Sequence, residues 1–229
     1  RRPTEVKAAL RETGKAILDA RNGVTRNRLD APAALAALRS IPAGTARAEL
    51  LVPVVLDVRG VGEARFLSEL TLTNRGTTAA RVEATYMPAT GMFPGAAGGG
   101  TVADTLAPGE QRVIADAIAW LRTLKGLPIP EGPGQAGSLR FVFTGLSPDA
   151  DVVSARVRTT AAACGGAAGL SYAAWRMGDG STAPLRLFGL RSGPAERSNL
   201  AVVNMGTEGA VTPGIVLRPG DGASAYEVP

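Results

Sequence analysis

Residues 68–77, SELTLTNRGT, decide the fold of this chain. Leu70 and Leu72 point one way and Thr71 and Thr73 the other, the period of a strand with one buried face. Asn74-Arg-Gly76 then supplies residues that tolerate a tight reversal. The pattern returns 130 residues on as SNLAVVNMGT, residues 198–207, with Ser, Leu, Asn, Gly and Thr identical and the alternation kept. The stretches before the two copies, 59–65 and 191–197, are both polar and correspond loosely. Two related β units are therefore expected, beginning near residues 46 and 184.

Outward from the first copy the same alternation recurs. Residues 50–58, LLVPVVLDV, read as an apolar strand in which Pro53, lacking an N–H, marks an edge or a bulge. Val82, Ala84 and Tyr86 alternate with Arg81, Glu83 and Thr85. Leu139, Phe141 and Phe143 form a further candidate strand. Val153, Ala155 and Val157 alternate with Ser154, Arg156 and Arg158, and Leu170, Tyr172 and Ala174 make another. Ala107-Pro-Gly109 suits the centre of a type II turn. One helix interrupts the strands: Asp116 caps residues 117–124, with Gly126 beyond its end and Trp120, Leu121 and Leu124 on one face, placed to plug an open end. Many short alternating strands between Gly/Pro turns predict a mainly β fold, an antiparallel Ig-like β-sandwich. The second unit has room for three or four strands before Pro229, fewer than such a sandwich needs. It is either incomplete or completes the first.

Residues 4–39 follow a different period. Thr4 caps a first helix with Val6, Ala9, Leu10 and Thr13 at i, i+3, i+4 and i+7, stopped by Gly14. Residues 15–18 are a short, mostly apolar stretch leading to Asp19-Ala-Arg-Asn-Gly23, where Asn22-Gly23 signals a tight turn. Asp30 caps a second helix with Pro32 in its first turn and Ala31, Ala34, Leu35 and Leu38 on one face. Two helices of this size around a basic turn cannot hold a core alone. Residues 1–39 hold nine Lys/Arg against four Asp/Glu, which leaves sixteen of each in the rest, so all of the net +5 lies in this opening segment. A β part without its own positive face argues against nucleic-acid binding.

The run TEVKAALRETG at 4–14, DARNGVTRNRLD at 19–30 and AALAAL at 33–38 resembles the closing segment of the catalytic domain of subtilisin-like serine proteases (subtilases, peptidase family S8). There a helix, a turn of the type DxRNGxT and a final Ala/Leu helix complete an α/β domain. The resemblance covers the first 40 of 229 residues, and its matching positions serve packing and turns, not catalysis. It implies a two-helix remnant of that α/β domain at 1–40; the period change reads as a linker, SIPAG at 40–44, then a β-sandwich module with one inserted helix at 41–180 and a second, related and incomplete β module at 181–229. It further implies a secreted, extracellular parent endopeptidase whose catalytic domain lies upstream and is the missing partner of residues 1–40. The β part would serve as an accessory module for a protein substrate, a partner or a cell-surface component. The strand-Asn-x-Gly-Thr and Leu-Ala-Pro-Gly elements are similar in composition to β-sandwich modules of large secreted bacterial proteins. A non-enzymatic secreted adhesion or scaffold protein is the alternative, and it predicts Leu10, Leu35 and Leu38 buried against the strands. A carbohydrate- or protein-binding module is a third reading and needs an exposed aromatic or polar groove.

The chain has no histidine, so it cannot assemble a Ser-His-Asp triad, and on this reading it is inactive alone. No residue is nominated as catalytic, cofactor-binding or metal-ligating, and no cofactor is expected. Cys164 is the single cysteine, so no intrachain disulfide forms, and no partner for catalysis accompanies it. Asp149-Ala-Asp151 lacks the further spaced oxygens of a calcium loop and reads as a turn. The Gly-rich stretch 91–100 lacks the Lys-Ser/Thr of a phosphate loop and reads as a hairpin tip, and 161–169 as a Gly/Ala loop. Trp120 and Trp175 are read as core, and 4% aromatic content argues against an aromatic sugar-binding face. No long apolar run suggests a membrane span.

Overall fold

The computed structural model describes residues 3–39, 46–60, 64–90, 97–124, 127–146, 150–163, 166–191, 193, 198–206, 209–220 and 225–228. The expected linker at 40–44, Gly126, Asp149, Cys164 and most of the glycine-rich stretch at 91–100 lie outside them. By contacts the chain divides into two compact units, Arg1–Arg186 and Leu187–Pro229. The fold is mainly antiparallel β, as the alternation predicts.

The first unit opens with helix α1 (Pro3–Glu12), strands β1 (Lys15–Asp19) and β2 (Val24–Arg28), and helix α2 (Ala31–Arg39). It continues through β3 (Ala46–Arg59), β4 (Arg65–Asn74), β5 (Ala80–Pro88), β6 (Gly100–Leu106), β7 (Gln111–Ile114), helix α3 (Ala117–Thr123), β8 (Gln135–Leu146), a 3-10 turn (Ala150–Val152), β9 (Val153–Ala163), β10 (Gly166–Ala173) and β11 (Trp175–Arg176). Nine of these strands share one sheet ordered β10-β9-β4-β3-β8-β5-β6, with β11 on β3 and β7 on β4. The sheet is not closed. Strand β4 changes partner along one edge, pairing β3 through Arg65–Leu67 and then β7 through Leu70–Thr73, while its other edge holds β9 throughout.

The inward positions read from the sequence make one core. Leu70, Leu72, Val82, Leu139, Phe141, Phe143 and Val157 are fully buried, and the core residues all lie between Ala46 and Ala174. Pro53 sits where the β3–β8 register shifts, between Val52 and Val55, because it has no N–H to give to the ladder. Gly109, at φ +72°, with the Glu110 N–H donating to the Ala107 carbonyl at 3.2 Å, closes the turn between β6 and β7. Gly137 lets β8 pass against β5, since a Cβ there would run into the Met87 carbonyl.

Helix α3 starts where expected, the Asp116 carboxylate accepting the Ala119 N–H at 2.9 Å. Its most buried face is Ala117, Ile118 and Leu121, with Trp120 and Leu124 only partly covered, so the apolar stripe is rotated from the one expected. Its Arg122 reaches a buried ionic joint. The Asp57 carboxylate, at 0% exposure, accepts from Arg65 Nε at 2.9 Å and from Arg122 at 3.3 Å. Arg122 also donates to the carbonyls of Pro130 and Gly132, tying β3, β4, α3 and the loop before β8 together. Beside it the Tyr86 hydroxyl donates to the Ala136 carbonyl at 3.0 Å, and burial pushes its pKa up to about 12.

Other expectations about secondary structure need correction. Residues 15–28, expected as a short apolar stretch and a basic turn between the two helices, form a β-hairpin, because Ile17, Val24 and Thr25 favour strand and Asn22-Gly23 reverses the chain. The stretch 161–169 is strand on both sides of residues 164–165, its alanines and glycines pairing β9 with β10. Strands β6 and β7 were not anticipated, because β6 follows the glycine-rich run that reads as a loop.

In the second unit, β12 (Ile215–Leu217) pairs antiparallel with β13 (Tyr226–Val228). The second copy of the repeat, 198–206, is not in strand. Its turn nevertheless matches the first. Asn74 Oδ1 accepts the Gly76 N–H at 2.9 Å, and Asn204 Oδ1 accepts the Gly206 N–H at 2.8 Å.

Candidate docking surface

Helix α1 ends at Glu12, just before Gly14, but Thr4 lies inside the helix, which begins at Pro3. Thr13 Oγ1 donates to the Ala9 carbonyl at 2.7 Å. The loop of the hairpin is fixed by the Gly23 N–H on the Asp19 carbonyl (2.9 Å), with Gly23 at φ +68°, and by the Val24 N–H on Asn22 Oδ1 at 3.0 Å. Asn27 Nδ2 on β2 donates to the Arg11 carbonyl at 3.2 Å, joining hairpin to helix. Asp30 caps α2 by accepting the Ala33 N–H at 3.0 Å and pairs with Lys15 at 3.3 Å. That N–H first, and then Lys15, hold the Asp30 carboxyl below its ordinary pKa. All of these contacts lie within residues 9–33.

The two helices contact each other, and among the described residues they bury Ala9 and Ala34. The larger apolar groups stay outside. Leu10 is 37% exposed, Ile17 45%, Leu18 62%, Val24 41%, Leu29 62% and Leu35 48%. Among the described residues no strand pairing joins β1 or β2 to the nine-stranded sheet. The alternative in which Leu10 and Leu35 are buried against the strands is therefore not what the structure shows; the Leu38 side chain lies outside the described residues. The hairpin face that carries Ile17 and Val24 also carries Arg26 opposite Ile17, Asp19 opposite Val24, and Lys15 opposite Arg28, while Leu18 lies on the other face; Arg21 pairs with Asp19 at 3.3 Å. Chemically this is a mixed apolar and charged surface, with Lys15 paired to Asp30 and Arg21 to Asp19. It offers contact area, and no nucleophile, base or metal ligand set.

The other residues weighed from sequence are not brought together. Asp151 pairs with Arg176 of β11, and its carbonyl accepts from Arg75. Among the described residues no group of three His, Cys, Asp or Glu is placed to hold a metal. Trp120 packs partly against the core, as expected. Trp175 does not: it is 54% exposed and, with Tyr172 and Asp179, lines a shallow depression at the sheet margin. It lies on β11, a two-residue strand paired with Leu50 and Leu51 of β3. Sequence reasoning missed this exposure, because an aromatic in an alternating run carries no sign of where the sheet stops. Among the described residues no helix is long and apolar enough to cross a membrane.

No protein-family model, no curated protein and no solved structure matches this chain.

Proposed function

We propose that this chain is the C-terminal part of a secreted subtilisin-like serine endopeptidase, in which residues 3–39 finish the catalytic domain and the β modules are non-catalytic accessories. The observation that carries this reading is the exposed apolar surface of residues 3–39. Six large apolar side chains stand more than a third exposed on two short helices, a hairpin of two five-residue strands and Leu29 after it. Burying a side chain of this kind is worth about 1.5–3 kcal/mol, and an isolated two-stranded hairpin is marginal in water. Such a segment belongs against a larger body, and the motif resemblance names the catalytic domain as that body.

On this reading the nine-stranded sheet is an Ig-like β-sandwich of two facing layers. One layer is β6-β5-β8-β3 with β11, and the other is β10-β9-β4 with β7. The change of partner along β4 supports it, as does the single core shared by both sets. The module holds the enzyme near a protein substrate or a cell-surface component outside the cell, raising effective concentration without entering the chemistry.

Two measurements test the proposal. The coding sequence upstream of Arg1 is expected to carry the Asp, His and Ser segments of a triad, and a reading frame without them overturns it. Removing residues 1–40 is expected to leave the thermal midpoint of the β module within about 2 °C. A fall of more than about 4 °C, on the order of 1–2 kcal/mol at this size, favours the adhesion or scaffold reading, in which the segment belongs to its own sheet.

A further inference from the structure

The nine-stranded sheet ends on two edges of unlike character. Strand β6 closes one end, and its margin is blunted: Asp104 pairs with Arg112 at 2.5 Å, and Arg112 donates to the Thr105 carbonyl at 2.8 Å. Strand β10 closes the other. Its eight residues, GAAGLSYA at 166–173, contain no charge and no proline. They pair with β9 in an unbroken register, from Gly166 opposite Ala163 to Ala173 opposite Arg156. Among the described residues no strand lies on the other margin of β10. A neutral edge of this length, without a bulge, is a template for a further strand.

One bond fixes which main-chain groups of β10 face the open margin. The Ala174 N–H donates to the Ala155 carbonyl at 2.9 Å, in the same register. Successive residues of an antiparallel strand bond to alternate sides. Ala168, Leu170 and Tyr172 therefore turn their N–H and C=O towards β9, and Ala167, Gly169, Ser171 and Ala173 turn theirs outward. The side chains divide as well. Ala168, Leu170 and Tyr172 lie opposite Ala161, Thr159 and Val157, all three buried, and so share the core face of the sheet. Leu170 is nevertheless 66% exposed, so the cover of that face stops short of β10.

We infer that β10 is the interface with a second copy of this chain, pairing antiparallel with its own equivalent by strand addition. A two-fold axis normal to the sheet keeps each face continuous, and residues of like parity then oppose. The register centred on Leu170 sets Gly169 against the partner's Ser171 and Ala167 against the partner's Ala173. It uses all four outward residues of each copy, whereas centring on Gly169 or Ser171 leaves Ala173 or Ala167 beyond the strand end. The same register stacks Leu170 on the partner's Leu170 and Ala168 on the partner's Tyr172, covering the bare core face. On the opposite face Arg158 lies beside Ser171 and Arg156 beside Ala173. Across the axis these rows continue into the partner's Gly169 and the partner's Ala167, so no like charges meet. A second copy is thus the occupant that this edge fits: apolar on apolar on one face, arginine rows on neutral residues on the other. Edge pairing of this length lies at the small end of specific interfaces, near roughly 1,000 Å² or below, and gives a weak dimer. The inference does not depend on the origin of residues 3–39.

The test is sedimentation equilibrium of the full chain, with half-dimerisation expected at about 0.1–1 mM. Leu170→Lys sets two ammonium groups face to face across the axis, and Ala167→Pro removes an outward N–H without touching the β9 ladder. Each should weaken the dimer about ten-fold or more, and since both side chains are exposed the thermal midpoint of the monomer should hold. A chain that stays monomeric to about 2 mM overturns the inference, as does a dimer that both variants keep, such as one formed through residues 3–39. Crosslinking reads the register. With the single native thiol removed by Cys164→Ser, Leu170→Cys should give an interchain disulfide on mild oxidation, at a cross-strand Cα spacing of about 4.5 Å. Ala168→Cys, whose twin lies four residues along, should not, and equal crosslinking at both positions overturns the register. Amide exchange at 167, 169, 171 and 173 should slow as concentration rises. Protection of these amides already in dilute monomer also overturns the inference, since the chain's own residues would then cover the edge.

Discussion

Replacing Asp57 by Ala tests whether the ionic joint at the base of the sheet holds the module together. The carboxylate is at 0% exposure, between Arg65 (side chain 48% exposed) and Arg122 (12% exposed). Removing one partner of a buried pair costs about 3–5 kcal/mol when the remaining charge is left uncompensated. Here Arg122 would keep its bonds to the carbonyls of Pro130, at 3.0 and 2.7 Å, and Gly132, at 2.7 Å. The loss therefore falls at the low end, about 3 kcal/mol, or about 6–12 °C in Tm for a domain of this size. Arg65→Ala removes a guanidinium that water can replace, and about 1–2 kcal/mol is expected. Urea unfolding followed by far-UV circular dichroism and by the fluorescence of Trp120 and Trp175 measures both. The double variant Asp57→Ala/Arg122→Ala should fall short of the sum of the singles by about 1–3 kcal/mol. Strict additivity, or an Asp57→Ala cost below about 1 kcal/mol, would refute the reasoning.

Two further predictions follow from single side chains. Asn74 is buried and bridges the turn after β4 to the carbonyls of Thr78, Leu106 and Ala107, at 2.8, 3.3 and 3.1 Å. Asn74→Ala should cost about 2–3 kcal/mol in the same unfolding assay, whereas Asn204→Ala, in an exposed turn, should cost at most about 0.5 kcal/mol. Equal effects would remove the distinction between the two copies. Glu49 is held below its ordinary pKa of 4.5, first by its bond to Arg140 at 2.5 Å and then by the charges of Arg140 and Arg47. A depressed folded pKa contributes stability that is present above the unfolded value and lost as pH falls through the folded one. Glu49→Gln should therefore lower Tm at pH 7 and flatten its decline below about pH 4.5, and an unchanged acid limb would count against the pairing.

Much of the β fold was legible in residue order alone. Alternation placed Leu70, Leu72, Val82, Tyr86, Phe141 and Val157 inward, Pro53 marked the bulge, and Ala107-Pro-Gly109 made its turn. Asp30 and Asp116 capped the helices expected of them. These are local properties: strand period, a missing N–H, a side-chain oxygen within three residues of an N–H. The candidate docking surface was legible in part. The faces of α1 and α2 could be read from their spacing, but the hairpin between them could not, since five-residue strands carry too little periodic signal. Nor could exposure be read, because amphipathic spacing states which side is apolar and not whether anything covers it.

The sequence by itself determined which residues alternate, where the chain turns, that no histidine-based chemistry is available, and that one strand-and-turn unit occurs twice. Tertiary structure decided the strand order β10-β9-β4-β3-β8-β5-β6, the meeting of Asp57 with Arg65 and Arg122, the exposure of Trp175, and the different fates of the two copies. Leu70 and Leu200 sit in nearly the same local sequence. Leu70 is buried because β4 turns it into the shared core, and Leu200 is exposed because 198–206 is not in strand and joins no core among the described residues. Burial is a property of long-range neighbours, which local sequence can require but not supply.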